Sequence, residues 1–137
     1  MSKMIEQLVA TLQTDAKLAA AGTLGVLLNQ ASTNPYGIFF HGPPKVPTYP
    51  LITQYPVGGM GEKPEILYHM ITAYGAGYGD ILTRVRVLLH RQPRIFEGAV
   101  DFHVISIKHV WTSPDVIDPD SKEYTQSHRY EIQGWRR

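Results

Sequence analysis

The sequence predicts an α+β fold, a mainly antiparallel sheet with two helices packed on one face, and three observations carry that prediction. Two segments, one at the N-terminus and one near the middle, repeat apolar residues at helical spacing. Three others, residues 66–74, 100–111 and 124–135, are rich in β-branched and aromatic types and read as strands. Helices and strands do not alternate as in a parallel βαβ sheet, because a proline-rich meander precedes the first clear strand. With 137 residues the chain can build one core and not two, so residues 1–137 form a single domain.

Met4, Ile5, Leu8, Val9 and Leu12 share one side of the first segment, and Lys3, Glu6, Gln7 and Gln13 the other, which predicts an amphipathic helix. Asp15 is placed to cap a short continuation, AKLAAA, that stops at Gly22. The next stretch, TLGVLLNQA at 23–31, fits a helical turn or a short strand equally well. Seven of the ten prolines then lie from Pro35 to Pro64, which forbids a helix and leaves only the strand pieces GIFFH (37–41) and LITQY (51–55). HGPPKVPTYP (41–50) and PVGGMGEKP (56–64) read as loops, the second as a mobile hairpin connection.

In the strand from Ile66 to Tyr74, Leu67, Ile71 and Ala73 point one way and Tyr68, Met70 and Tyr74 the other. Both faces are apolar, so one is expected on the helices and the other on more protein, such as a second subunit. Tyr78, Leu82, Val85 and Leu89, widened by Ile81 and Leu88, form a second helical stripe that ends near Pro93. Val100 to Trp111 and Tyr124 to Trp135 follow as a hairpin joined by the acidic turn SPDVIDPDSKE (113–123). There is no internal repeat and no low-complexity tract.

Several function classes are disfavoured by composition. A hydrophobic fraction of 43% with 18% charged residues, and no apolar run near the length of a membrane span, predicts a globular protein that does not enter membranes. Glu6, Gln7, Gln13 and Asp15 interrupt the apolar centre that a secretory leader needs, so no export signal is expected and the chain is expected to start in a cytoplasm. Without cysteine there are no disulfides, thiolate metal sites or cysteine nucleophiles. Thirteen basic against 12 acidic residues, a net charge of +1, give no global attraction to nucleic acid.

The run ITAYGAGYGD (71–80) invites a nucleotide reading, because glycines between a strand and a helix can let backbone approach a pyrophosphate. Gly75, Gly77 and Gly79 give G-x-G-x-G, however, and Asp80 stands where the last glycine of G-x-G-x-x-G belongs. A carboxylate there repels phosphate, and no Walker-type lysine follows. A turn capped by Asp80 is the expectation. The histidines at 41, 69, 90, 103, 109 and 128 lack metal-ligand spacing, and His69, His103, His109 and His128 read as cross-strand neighbours on a half-exposed sheet. The acidic turn lacks the calcium-loop pattern, and no serine lies in G-x-S-x-G. No enzyme activity, cofactor or metal is expected. The arginines at 84, 86, 91, 94, 129, 136 and 137 favour surface pairing and subunit contacts, and Trp111 and Trp135 favour core or rim anchors.

The leading helix MIEQLVATLQTDAKLAA, then VPTYPLITQYPVGG, ILYHMITAYG, GDILTRVRVLL and SPDVIDPDSKEYTQSHRYEI, in this order, resemble the tail terminator or tail-completion proteins of long-tailed, siphovirus-like bacteriophages over nearly the whole chain. Head-completion and neck proteins share the general layout, and the stretch GTLGVLLNQASTNPYG (22–37) departs from it. The resemblance implies a subunit of a hexameric ring at the head-tail junction of the virion, assembled in the host cytoplasm. Such a ring caps the tail tube, ends its polymerisation and docks the head-neck connector protein, while DNA passes through the lumen unread. On this reading Gly58, Gly59, Met60, Glu62, Lys63, Asp115, Asp118 and Asp120 are candidates for docking to tube or head, and Tyr68, Met70, Tyr74, Arg129 and Trp135 for contacts between subunits. A neck adaptor is the runner-up, and a small enzyme with a deep pocket comes third.

Overall fold

One core joins three helices to one face of a six-stranded sheet in the computed structural model, which describes residues 3–60 and 64–136. In chain order the elements are α1 (Lys3–Ala16), α2 (Leu24–Leu28), β1 (Ile38–Phe40), β2 (Leu51–Met60), β3 (Glu65–Tyr74), α3 (Tyr78–Leu89), a 3-10 turn (Pro93–Phe96), β4 (Phe102–Thr112), β5 (Val116–Ile117) and β6 (Tyr124–Arg136). The strands lie in the order β1-β2-β3-β6-β4, with β5 on β6 beyond the end of β4. Every pairing is antiparallel except β1 with β2. The α+β class is as expected, with three helices instead of two.

Met4, Ile5, Leu8 and Leu12 of α1 are buried, as their spacing requires. They meet Ile81, Leu82, Val85 and Leu89 of α3 and the inward residues Ile52, Ile71, Ile107 and Ile132 of the sheet in one cluster. The alanine-rich continuation is not helical: α1 stops at Ala16. Asp15 does not start it. Its carboxylate instead accepts the N–H of Leu24 at 2.8 Å, at the start of α2, and a two-pronged bond from Arg84 of α3 at 2.7 and 3.0 Å. An α2 of five residues is too short to hold itself, so this carboxylate and the burial of Leu24 and Leu28 hold it in place.

Burial alone would raise the Asp15 pKa, but the bonds from Arg84 and Leu24 and the guanidinium charge outweigh it and hold the carboxyl below its ordinary range. Arg84 is correspondingly raised by its bond to Asp15. This pair ties three helices together, and local spacing gives no sign of it.

The expected loop after LITQY is largely strand. β2 runs on through Pro56, Gly58, Gly59 and Met60, with a bulge between Pro56 and Gly58. Proline is tolerated there because β1 pairs only with Ile52 to Gln54, so the outer edge of β2 is free beyond that point. Gly58 takes a left-handed φ of 110° in the bulge. At Gly59 an added Cβ would collide with the carbonyl oxygen of Ile66 on β3, so close strand pairing demands glycine. Gly75 and Gly77 turn the chain from β3 into α3 with φ values of 104° and 79°. Gly77 is the N-cap, and Asp80 sits in the first turn without a side-chain capping bond, unlike the role expected of it.

Edge strand β4 is clasped in its middle by the turn after α3. The N–H of Arg91 donates to the carbonyl oxygen of Ile107 at 2.8 Å, and the N–H of His109 donates to Nδ1 of His90 at 3.0 Å. Two outward-facing groups that would otherwise template strand addition are thus satisfied from within the chain.

Candidate functional site

Residues paired across neighbouring strands share a face, so register alone locates the surface opposite the core. Tyr55 pairs with Met70, Met70 with Arg129 and Arg129 with Trp111, which makes a transverse row across β2, β3, β6 and β4. The helices bury their apolar sides in the core cluster on the other face, and no helix among the described residues covers this row. Trp111 is 39% exposed, while Tyr55, Tyr68, Met70 and Arg129 are half-buried.

The Arg129 guanidinium lies 5.1 Å from the Trp111 ring centre and 5.6 Å from that of Tyr68, a position in which two π-faces favour its charge. Its Nε is buried and has no hydrogen-bond partner. The carboxylate two residues on, Glu131, accepts from Gln133 at 2.8 Å and pairs with Lys108 at 3.9 Å. Other ions on the sheet are also matched, Arg136 with Glu65 at 2.9 Å.

Of the residues expected to make subunit contacts, Tyr68, Met70 and Arg129 converge, and Tyr55 and Trp111 complete their row. Tyr74 and Trp135 share the face but sit at opposite ends of it. Tyr74 packs against Tyr49 at 6.4 Å between ring centres, and burial pushes its phenol pKa up. Trp135 is 44% exposed and lies 5.3 Å from the His103 ring. Neither tryptophan is a core residue. Tyr55 is an outward residue of LITQY and is legible as such; Trp111 joins the row only through the bulged register of β4.

The two sets of docking candidates occupy opposite ends of the sheet. Gly58, Gly59 and Met60 approach the β2–β3 hairpin tip, where they are strand residues and not a mobile loop; Glu62 and Lys63 lie outside the described residues. Asp115, Asp118 and Asp120 lie at the other end, roughly 30 Å away along the ten residues of β3. Their turn is built by its own bonds and contains β5. Asp118 accepts the N–H of Ser121 at 2.8 Å, which holds its carboxyl below the ordinary range, and Asp115 accepts the Tyr78 hydroxyl at 2.6 Å. Asp120 is exposed at the tip. Between this turn and the proline loop runs a groove of about 460 Å³, lined in part by Pro44, Lys45, Tyr49, Tyr74, Asp118 and Asp120.

The histidines divide differently from expectation. His69 and His128 are buried on the core side, and burial lowers each to a pKa of about 4. His69 bonds Gln54 at 2.7 Å through Nε2, while its Nδ1 is buried without a partner. His109 and His128 are neighbours, with ring centres 4.3 Å apart. Among the described residues no three His, Cys, Asp or Glu side chains are placed to hold a metal ion.

Against known proteins, no family model matches the chain, and no curated protein matches its sequence. Among solved structures, a chain from the virion of a native gene transfer agent particle superposes with a TM-score of 0.52 over 96% of both chains, at 9% sequence identity. At that identity the likeness shows a shared fold.

Proposed function

We propose that this chain is a structural virion protein of a phage-like particle, one that makes and breaks no bond and acts by occupying a polymer end. The observation that carries this reading is the end-to-end likeness of fold to a chain of a gene transfer agent virion. More finely, we assign it the role of tail terminator: a hexameric ring that caps the tail tube, stops its growth and docks the head-neck connector, with DNA passing through. Two features support that role. A capping subunit needs two unlike axial surfaces, and the sheet ends differ, one in a glycine-bearing hairpin and the other in an acidic turn. A ring subunit also needs a lateral surface, and the row around Arg129 has the Trp, Tyr, Met and Arg composition of interface centres.

The test is genetic and structural together. Particles made without this chain should carry tails of uncontrolled length that fail to join heads, and purified protein should bind tail tubes. Tails of normal length, normally joined, would sink the reading. Binding to heads alone, with no affinity for tubes, would move the protein to the neck.

A further inference from the structure

The Arg129 Nε poses a physical problem, because a buried donor on a charged group costs about 1–3 kcal/mol or more when it lacks an acceptor. Two rings hold the guanidinium in place, and the carboxylate two residues away is already shared by Gln133 and Lys108. Nε is closed off from outside, so an incoming anion would meet the other nitrogens of the guanidinium, whose charge no carboxylate among the described residues pairs, and apolar surface would come with it to cover Trp111, Tyr55 and Met70. A nucleic acid is a poor candidate. Phosphate binding grows with the number of free cations, and here Lys108 and Arg136 are both paired, which leaves Arg129 as the unpaired cation of the row.

The same chain holds the complementary charge. The turn from Ser113 to Glu123 concentrates Asp115, Asp118, Asp120 and Glu123 against Lys122, and none of its carboxylates forms a salt bridge among the described residues. Asp115 and Asp118 are engaged by Tyr78 and Ser121, so Asp120, exposed at the tip, is free to pair. The turn projects from one end of the sheet, whereas the Arg129 row crosses its middle, so a copy cannot satisfy its own row with its own turn.

We propose that the row Tyr55–Met70–Arg129–Trp111 is a docking site for a second copy of this chain, whose acidic turn places the Asp120 carboxylate against the Arg129 guanidinium. The contact uses a different surface on each partner. Heterologous contacts of this kind close into rings or run on as filaments. This rests on the self-assembly part of the proposed function and names its contact.

Charge exchange tests it on the purified full-length chain, by sedimentation at several protein and salt concentrations. The wild type should self-associate, less at high salt. Arg129→Glu and Asp120→Lys should each weaken association by at least about tenfold, because like charges then face each other. An equimolar mixture of the two variants should recover it, since each row then meets the other variant's turn and every contact again joins opposite charges. Asp120 sits in an exposed turn, so its variant keeps the fold, and Arg129→Met serves as a second, milder probe of the row.

A wild type that stays monomeric at all concentrations would overturn the contact, as would variants that assemble normally or a mixture that does not recover. So would single-stranded DNA binding that Arg129→Glu abolishes. Tail length in particles is scored separately. Normal tails alongside intact charge-exchange behaviour would remove the capping role and leave this contact standing.

Discussion

The two faces of the sheet are made by the same strands and differ in what satisfies them. On the inner face, Ile52, Ile71, Ile107, Tyr130 and Ile132 are closed over by three helices; Asp15 is held by Arg84 and Leu24, and His69 bonds Gln54 through Nε2 and leaves only its uncharged ring's Nδ1 without a partner. On the outer face, the row around Arg129 keeps an exposed tryptophan and a donor without an acceptor. Alternation along a strand distributes residues between faces but does not say that both will be covered by the same chain. Here the inner face stabilises the fold, and the row on the outer face is covered by no helix among the described residues.

The sharpest way to break that comparison is to delete one side chain from each face. Leu82→Ala removes a fully buried leucine from the inner layer and should cost about 4 kcal/mol of unfolding free energy, the range for cavities in well-packed cores. Trp111→Ala on the outer face should cost about 1 kcal/mol or less in the isolated chain, as at exposed positions generally. Denaturant unfolding of dilute protein measures both. Equal losses would show that the outer row stabilises the fold as the core does, and the distinction between the faces would fail.

The ion pair that joins the helices comes next in size. Arg84→Ala strands the Asp15 carboxylate, whose side chain is 5% exposed, and should cost about 3 kcal/mol. The sign with pH is fixed by the lowered pKa of Asp15. Its contribution is fully present above the unfolded value near 3.9 and is lost as pH falls through the lower folded value. The gap between wild type and Arg84→Ala should therefore stay constant near neutrality and narrow on acidification, first as Asp15 of the variant, whose pKa rises once Arg84 is gone, takes up its proton, and then as that of the wild type does. A gap that closes by pH 6 would mean another group is responsible.

Histidine on the inner face titrates in a different window. His69 is buried and bonded to Gln54, and its folded pKa of about 4 lies below the ordinary 6.5. The unfolded chain thus binds the proton first. Stability should fall as pH drops from about 6.5 toward about 4, by on the order of 3 kcal/mol from this residue. His69→Leu should be slightly less stable at neutral pH, because Gln54 loses its partner, yet lose less on acidification; His128, also near 4, keeps its own share. An unchanged pH slope in the variant would refute the assignment.

The same residues show where the sequence is legible. The amphipathic stripes of α1 and α3 and the long strands follow from periodicity, and periodicity is a local property. The departures have one physical origin. Local spacing gives Asp15 a capping role, whereas its partners are Leu24 and Arg84, the latter sixty-nine residues away. Intrinsic preferences put Pro56, Gly58 and Gly59 in a loop, but pairing with β3 overrides them and places them in a bulged strand. At the candidate site, alternation finds Tyr68 and Met70, while the contribution of Trp111 depends on a bulge that no spacing rule announces.

The smallest effect lies on the edge between the two faces. His90 serves β4 only while Nδ1 is unprotonated, because that atom accepts the His109 N–H. Burial lowers the His90 pKa, and Arg86 and Arg91 lower it further; His109, also lowered, and Arg86 are the charged or titratable groups facing it from β4 and α3. The bond should therefore hold at neutral pH and fail only in acid, below the ordinary histidine range. The protection factor of the His109 amide in hydrogen exchange reports it directly. His90→Leu should lower that protection by about fivefold, the worth of a bond of about 1 kcal/mol. His90→Asn can present an oxygen near the place of Nδ1 and cannot titrate, so its protection should be near wild type at neutral pH and insensitive to acid. If His90→Leu protected this amide as well as the wild type does, the clasp would not be what closes the middle of the edge, and β4 would have to be counted with the open outer face.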